Sequence, residues 1–440
     1  MKLIRILLTL VISLQLLPAQ TSETTDRWNE PDAAALEKWQ DMRFGMFIHW
    51  GPVSLKGTEI GWSRNKEVPI EEYDQLYKDF NPEQFDAKEW VAIAKDAGMK
   101  YIVLTTKHHD GFCLWDTKTT EYDIMSTPFG RDIVKELSDA CEEAGIMFCT
   151  YYSISDWHHP DWPNGPRYGR SGHPLPEGRQ PDMDRYEAYM KAQLKELLTD
   201  YGHIGVMWFD GEWGAPWTHE RGVELYNWLR DLQPSLLINN RVDKGRKGAE
   251  GINKDRAKYK GDFDTPEQQI GLYQPEWPWE SCITICEQWA WKPNDKMKSL
   301  KECIQTLVRT AGGGGNLLLN VGPMPDGRIE PRQVDRLSEI GDWLEKYGES
   351  IYGTEGGPFK PADWGVSTHR DKTIYIHVMN REASELTLPP LKHKVIRAKV
   401  MQGEEITFEQ TDGAIKITIQ KDSAEPIHTI IALELDNLLG

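Results

Sequence analysis

Residues 204–213 read "IGVMWFDGEW", an apolar and β-favouring run that stops on a carboxylate between aromatics. An aspartate in that place could simply cap the next turn. It could also attack an acetal carbon, a task that needs an ionised, rigid carboxylate behind apolar walls that exclude bulk water. Trp208 and Phe209 offer Asp210 such walls. Glycoside hydrolysis further requires a second carboxyl as general acid. Its distance from the first is about 5–5.5 Å when configuration is retained and roughly 6.5–9.5 Å when it is inverted. The stretch "GDFDTPEQQIGLYQPEWPWESC" supplies Glu267, Glu276 and Glu280, and Glu212 is a fourth candidate. A glutamate among Pro, Trp and Tyr has its pKa raised by desolvation, which suits an acid catalyst. Spacing alone does not choose among the four.

Other apolar runs end in the same manner. "FGMFIHWG" ends on His49 and Trp50, and "TKHHDGFCLW" carries Lys107, His108, His109 and Asp110. "TYYSISDW" brings Tyr151, Tyr152 and Trp157, and "NNRVD" brings Asn240 and Arg241. Three histidines invite a metal, but His-His-Asp is not the i, i+4 spacing of a zinc helix. Adjacent residues at a strand end also point apart, so His108 and His109 do not easily share one ion. Hydrogen bonding to a polyhydroxylated ligand accounts for them better, and plain core histidines are the bland alternative.

The elements that must hold these residues are short strands alternating with amphipathic helical stretches from about 30 to 350. Strands are expected at 44–50, 101–106, 147–153, 204–210, 235–240, 282–286 and 316–321. Helical patterns at 87–98, 130–145 and 185–202 fall between them. Near-continuous apolar strands with intervening helices predict a parallel sheet wrapped by helices. Seven or eight units in about 320 residues fit a (β/α)₈ TIM-like barrel, in which functional groups gather at the C-terminal strand ends. No G-x-G-x-x-G follows the first strand, which argues against dinucleotide binding. "AGGGGN" at 311–316 precedes a strand and is read as a tight turn, not a phosphate loop. Beyond 352 the pattern becomes short alternating strands, which predicts a small C-terminal β-sandwich. The expected division is a signal peptide at 1–20, the barrel at 21–352 and the sandwich at 353–440.

Composition narrows the function. The 440 residues carry 51 basic against 69 acidic side chains, a net charge of −18 that repels phosphate backbones and excludes nucleic acid as an expected partner. Eighteen Trp, 16 Tyr and 11 Phe supply flat apolar faces of the kind that stack on sugar rings. "MKLIRILLTLVISLQLLPAQ" has a short basic start, an apolar run and Ala19 before polar sequence, and is read as a secretory signal. This predicts a periplasmic or secreted protein with no membrane span after signal removal. Six cysteines in so long a chain are not a disulfide framework, and most are expected as buried thiols.

Taken together, "FGMFIHWGPVS", "TTKHHDGFCLWDTKTT", "YYSISDW", "MWFDGEW", "NNRVD", "PWESC…QWAW" and "GGGGNLLLNVGPMPDG" resemble the α-L-fucosidases of glycoside hydrolase family 29. The resemblance spans about 30 to 355. It implies a retaining double displacement on terminal α-L-fucosyl residues of oligosaccharides or glycoconjugates, with no metal or organic cofactor. Asp210 matches the family nucleophile. His49, His108, His109, Tyr151, Trp208 and Arg241 match positions that grip the fucose hydroxyls or line the pocket, and Trp289 stands where the family places an aromatic against the sugar's methyl side. The family's Glu-Trp-Tyr is replaced by "EIGWSRN", which keeps Trp62 and leaves the role of Glu59 open. For the acid, both Glu267 and Glu280 match described motifs, with Glu267 preferred. The alternatives are a barrel glycosidase for another sugar, a catalytically silent carbohydrate-binding protein and a metal-dependent hydrolase.

Overall fold

A computed structural model describes residues 31–163, 177–380, 384–419 and 427–439. The expected signal peptide lies outside the described residues. Seven parallel strands form one curled sheet: β1 (Phe44–Ile48), β2 (Tyr101–Lys107), β3 (Met147–Ser153), β4 (Val206–Asp210), β5 (Leu237–Ile238), β6 (Glu280–Thr284) and β7 (Asn316–Val321). Their order is β5-β4-β3-β2-β1-β7-β6. The gap between β5 and β6 is closed by residues 262–268, which run parallel to both. Asp262 N–H donates to the Ile238 carbonyl at 2.7 Å, and Asn240 N–H donates to the Phe263 carbonyl at 3.0 Å. On the other side the Cys282 N–H donates to the Pro266 carbonyl and the Gln268 N–H to the Cys282 carbonyl. This segment is the eighth stave of a TIM-like barrel. Proline at 266 lacks an N–H and prevents a regular ladder.

Among the described residues eight helices accompany the strands: α1 (Ala33–Met42), α2 (Ile70–Tyr73), α3 (Ala87–Asp96), α4 (Ile133–Ala144), α5 (Met183–Asp200), α6 (His219–Leu232), α7 (Leu300–Gly312) and α8 (Pro331–Tyr347). Their starts follow local chemistry. Asp86, Asp132, Asp182 and Thr218 each accept backbone N–H bonds as N-caps, and Ser299 with Glu302 forms a capping box on α7. The apolar face of α4, with Ile133, Val134, Leu137 and Cys141, is fully buried in the layer between helices and sheet.

Alternation along the strands sorts residues between that layer and the barrel interior. Phe47, Tyr101, Val103, Cys149, Tyr151, Val206, Trp208, Leu237, Phe263, Cys282 and Leu318 fill the interior. Trp39 from α1 plugs the N-terminal end, its ring 4.5 Å from that of Phe263. The glycine run expected as a tight turn ends α7 and packs backbone against ring. A Cβ on Gly315 would meet the Trp279 indole at 2.4 Å, and Gly314 has φ +93°. All six cysteines are buried free thiols.

After α8 the chain builds antiparallel structure: β8 (Glu355–Gly356), β9 (Gly365–Arg370), β10 (Thr373–Val378), β11 (Glu385–Leu388), β12 (Val395–Val400), β13 (Phe408–Gln410), β14 (Ile415–Thr418) and β15 (Thr429–Leu435). A five-stranded sheet in the order β12-β15-β10-β9-β8 faces a three-stranded one in the order β11-β14-β13. Their shared core includes Ile374, Ile376, Leu386, Ile415, Ile417, Ile431 and Leu433. No helix among the described residues is long and apolar enough to cross a membrane.

Candidate active site

At the C-terminal end of the barrel a pocket is lined by Phe47, His49, Trp62, His108, Tyr151, Trp208, Asp210, Trp213, Arg241, Arg246, Glu267, Cys282 and Trp289. Asp210 is the last residue of β4, where the strand hands its side chain to the rim. Gly211 follows at φ +84°, where a Cβ would meet Ser155 Oγ at 2.4 Å, so only glycine turns the chain away at once.

One guanidinium organises the pocket carboxylates. Arg241 donates from Nη1 to Asp210 Oδ1 and from Nη2 to Glu267 Oε2, each at 2.9 Å. It is itself fixed by a bond from Nε to Thr265 Oγ1 at 2.9 Å and by the Trp208 ring, 4.5 Å away. The other Asp210 oxygen accepts from the Tyr151 hydroxyl at 3.2 Å and lies 3.6 Å from His109 Nε2. Burial alone would raise the Asp210 pKa. The Arg241 charge, with His109 and Arg246 beyond it, holds the carboxyl well below the usual carboxylate range. Asp210 is therefore ionised, as a nucleophile must be.

His49 and His108 line the pocket, and His109 lies against Asp210. Burial lowers His49 to about 3 and His109 to about 4, and it also lowers His108, so all three are neutral imidazoles. His49 Nδ1 is 2.6 Å from Asn320 Oδ1, and Asn320 Nδ2 donates to the Trp289 carbonyl at 2.8 Å. That network places the proton on Nδ1 and leaves Nε2 as an acceptor. His109 Nδ1 sits 2.6 Å from Ser153 Oγ. The His108 ring stacks on Tyr151 with 6° between planes, and its buried Nδ1 has no partner among the described residues. Neutral imidazoles beside an indole face suit a ligand that presents hydroxyls at its edge and C–H bonds on its face.

The four carboxyls considered for the acid separate in space. Glu267 lines the pocket at the end of the eighth stave and is 31% exposed. Glu280 opens β6 and so belongs to the N-terminal half of the barrel. There it accepts from Tyr101 Oη and, at 3.0 Å, from Trp208 Nε1, with no place in the pocket lining. Burial raises it to about 7. Glu276 is exposed near Trp277 at that same end. Glu212 stands behind Arg246, accepting from Nε at 2.7 Å. Glu59 accepts the N–H groups of Trp289 and Ala290 at 2.9 and 3.0 Å, and so fixes the segment that presents Trp289 to the pocket.

The structure brings Asp210, Glu267, His49, Trp62, His108, Tyr151, Trp208, Arg241 and Trp289 together in one pocket, with His109 against Asp210. Sequence reasoning did not single out Trp213, Arg246 or Asn320 for this site. Trp213 closes the "MWFDGEW" run itself and stacks near Trp62, with centroids 5.8 Å apart. Arg246 sits in a loop with no periodic signal.

A parallel barrel with two carboxylates on a shared guanidinium in an aromatic, hydroxyl-binding pocket defines a class, the barrel glycoside hydrolases. Comparison with known proteins narrows it. The α-L-fucosidase family model matches residues 11–349. Human plasma alpha-L-fucosidase is 30% identical over 387 residues, covering 81% of this chain and 79% of its own. Alpha-L-fucosidase isoenzyme 1 from Paenibacillus thiaminolyticus has a TM-score of 0.79 at 34% identity, over 92% of this chain and 99% of that one. A family 29 α-L-fucosidase from Bacteroides thetaiotaomicron has a TM-score of 0.81 at 30% identity, over 93% and 96% of the two chains. An α-L-fucosidase of that organism has been trapped as a covalent intermediate with 2-fluoro-fucosyl fluoride. The chain belongs to the α-L-fucosidases of glycoside hydrolase family 29 and is a retaining glycoside hydrolase.

Proposed function

We propose that this enzyme removes terminal α-L-fucosyl residues from glycans with Asp210 as nucleophile and Glu267 as acid and base. Asp210 attacks the anomeric carbon while Glu267 gives its proton to the departing oxygen, and the sugar becomes an ester of Asp210. Water, deprotonated by Glu267, then attacks the same carbon and frees Asp210. The observation that carries this reading is the Arg241 fork, which holds the two carboxyls as near neighbours inside the pocket. Retention needs them only about 5–5.5 Å apart. Glu280 has no part in it, since it lies below the pocket floor with both oxygens engaged.

Export is part of the proposal. It is supported by the basic and apolar start of the sequence and by a relative named for plasma. The barrel over 21–352 is taken as the catalytic unit and 353–440 as its companion.

The test is a pair of variants. Asp210→Ala should lose turnover by about 10⁴-fold or more, the scale of removing a covalent nucleophile. Glu267→Ala should lose activity on natural glycans but recover with azide on an activated aryl fucoside, giving the fucosyl azide. Rescue at Glu280→Ala instead would overturn the assignment of the acid.

A further inference from the structure

Beside the Arg241 fork lies a second guanidinium with its own counter-ion. Arg246 is 7% exposed and lines the pocket. Its Nη2 is 3.9 Å from Asp210 Oδ1 and its Nη1 is 4.0 Å from Glu267 Oε2, so its charge reaches both carboxylates. Its short side-chain bond goes elsewhere, from Nε to Glu212 Oε1 at 2.7 Å, and Nη1 also donates to the Gly248 carbonyl. Glu212 is 4% exposed, and its second oxygen is buried with no partner among the described residues. The loop that carries Arg246 is stapled to the turn after β4, because Lys244 Nζ donates to the carbonyls of Glu212 and Gly214.

Among the described residues, three carboxyls (Asp210, Glu212, Glu267) and two guanidiniums (Arg241, Arg246) thus share this corner of the barrel. The two guanidiniums face two anions in a medium where an uncompensated charge is costly, with the Lys244 ammonium at the edge on the Glu212 and Gly214 carbonyls. The double displacement always leaves one of the two pocket carboxyls neutral. Before the first step Asp210 is charged and Glu267 must hold its proton. In the intermediate Asp210 is an ester and Glu267 is charged. Burial raises the Glu212 pKa and the Arg246 guanidinium at 2.7 Å opposes it, and the guanidiniums stay balanced at both stages when Glu212 keeps its charge.

We infer that Glu212 is a positioning residue that neutralises Arg246 and thereby keeps the acid proton on Glu267 until the glycosidic bond breaks. It touches no substrate. Resting on the roles proposed above for Asp210 and Glu267, the inference explains why a buried acidic side chain follows the nucleophile by two positions. Around Glu212 the charged groups are Arg246, Asp210, Arg241 and Lys244. Around Glu267 they are Asp210 across the fork, Arg241 and Arg246, with His109, Tyr151 and Cys282 facing it in neutral form.

The pH profile of kcat/KM on a fucosylated oligosaccharide tests this in the full-length enzyme. Glu212→Gln keeps an oxygen for Arg246 Nε but removes the charge. Its alkaline limb, which reports loss of the proton from Glu267, should move down by about one pH unit, a tenfold loss above the limb. On fucosyl fluoride, whose leaving group needs no proton, kcat/KM should change less than threefold, a contrast a merely structural defect would not produce. Arg246→Gln should move the same limb upward, and the double variant should return it to the wild-type position. An unmoved limb in folded Glu212→Gln, or a double variant no nearer wild type than either single one, overturns the inference. If Glu212→Gln does not fold, Arg246→Gln decides alone, and an unmoved limb there has the same consequence. Failure of azide rescue at Glu267 would instead overturn the acid assignment, so the two failures are distinct.

Discussion

Trp208 separates two buried carboxyls with opposite fates. Toward the rim its indole face backs the Arg241 guanidinium, and Asp210 beyond it is held ionised. Toward the floor its Nε1–H reaches Glu280, which also accepts from the Tyr101 hydroxyl and is raised by burial to about 7. Both acids are removed from water in the same barrel. The difference is a cation. With one at 2.9 Å the desolvation cost is overridden, and with none against Glu280 among the described residues burial raises the carboxyl. A buried carboxyl in a barrel is thus no mark of catalysis by itself. The guanidinium and the end of the strand decide.

The largest way to break this comparison, after loss of the nucleophile itself, is to remove the fork. Arg241→Lys keeps a charge but cannot donate to two carboxylates from a planar pair of nitrogens. One of Asp210 and Glu267 is then left buried without its partner. We expect kcat/KM to fall by about 10²–10³-fold and stability by about 3–5 kcal/mol, the scale of breaking a buried ion pair. Steady-state kinetics and thermal unfolding check it. A variant with near-normal kcat/KM would show that the fork does not hold the reacting groups.

Much of the rim was legible in the sequence because near-continuous apolar strands that stop on polar residues carry chemistry to their C-terminal ends, as in "MWFD" and "FIHW". The eighth stave was not. "DFDTPEQ" has one buried aromatic, Phe263, among acids and a proline, so it reads as loop although its backbone bonds to strands on both sides. The acid stayed open between Glu267 and Glu280 for the same reason. A strand expected at 282–286 leaves Glu280 in the loop before it, whereas β6 begins at Glu280 itself. Glu267 stands at the end of its stave and Glu280 at the start of one, which sends them to opposite ends of the barrel. Arg246 could not be found at all, since a loop stapled by Lys244 and single backbone bonds leaves no periodic trace.

Trp208→Phe sharpens the comparison from the middle. It leaves a smaller ring beneath Arg241 and takes the donor from Glu280. Loss of the buried hydrogen bond should cost about 1–3 kcal/mol of stability. The weaker stacking should lower kcat/KM by on the order of tenfold. Denaturant unfolding and kinetics on one preparation would separate the two effects. A change confined to kinetics would mean that the floor carboxyl draws nothing from the indole.

The smallest effect on activity, and the sharpest on the floor, comes from Glu280→Gln. In the unfolded chain this carboxyl titrates at its ordinary 4.5, and in the barrel at about 7. Between those values the folded state binds the proton more tightly, so the carboxyl makes stability fall as pH rises through the window and level off above it. Glutamine is neutral throughout and removes that slope. The variant should match the wild type in stability near pH 4 and exceed it at pH 8 by up to about 3 kcal/mol. Its kcat/KM should stay within about twofold, because Glu280 does not reach the pocket. Unfolding free energies across that range test it. A wild type with no slope between pH 4.5 and 7 would mean that the floor carboxyl is stabilised in its charged form, as Asp210 is, and the contrast across Trp208 would fail.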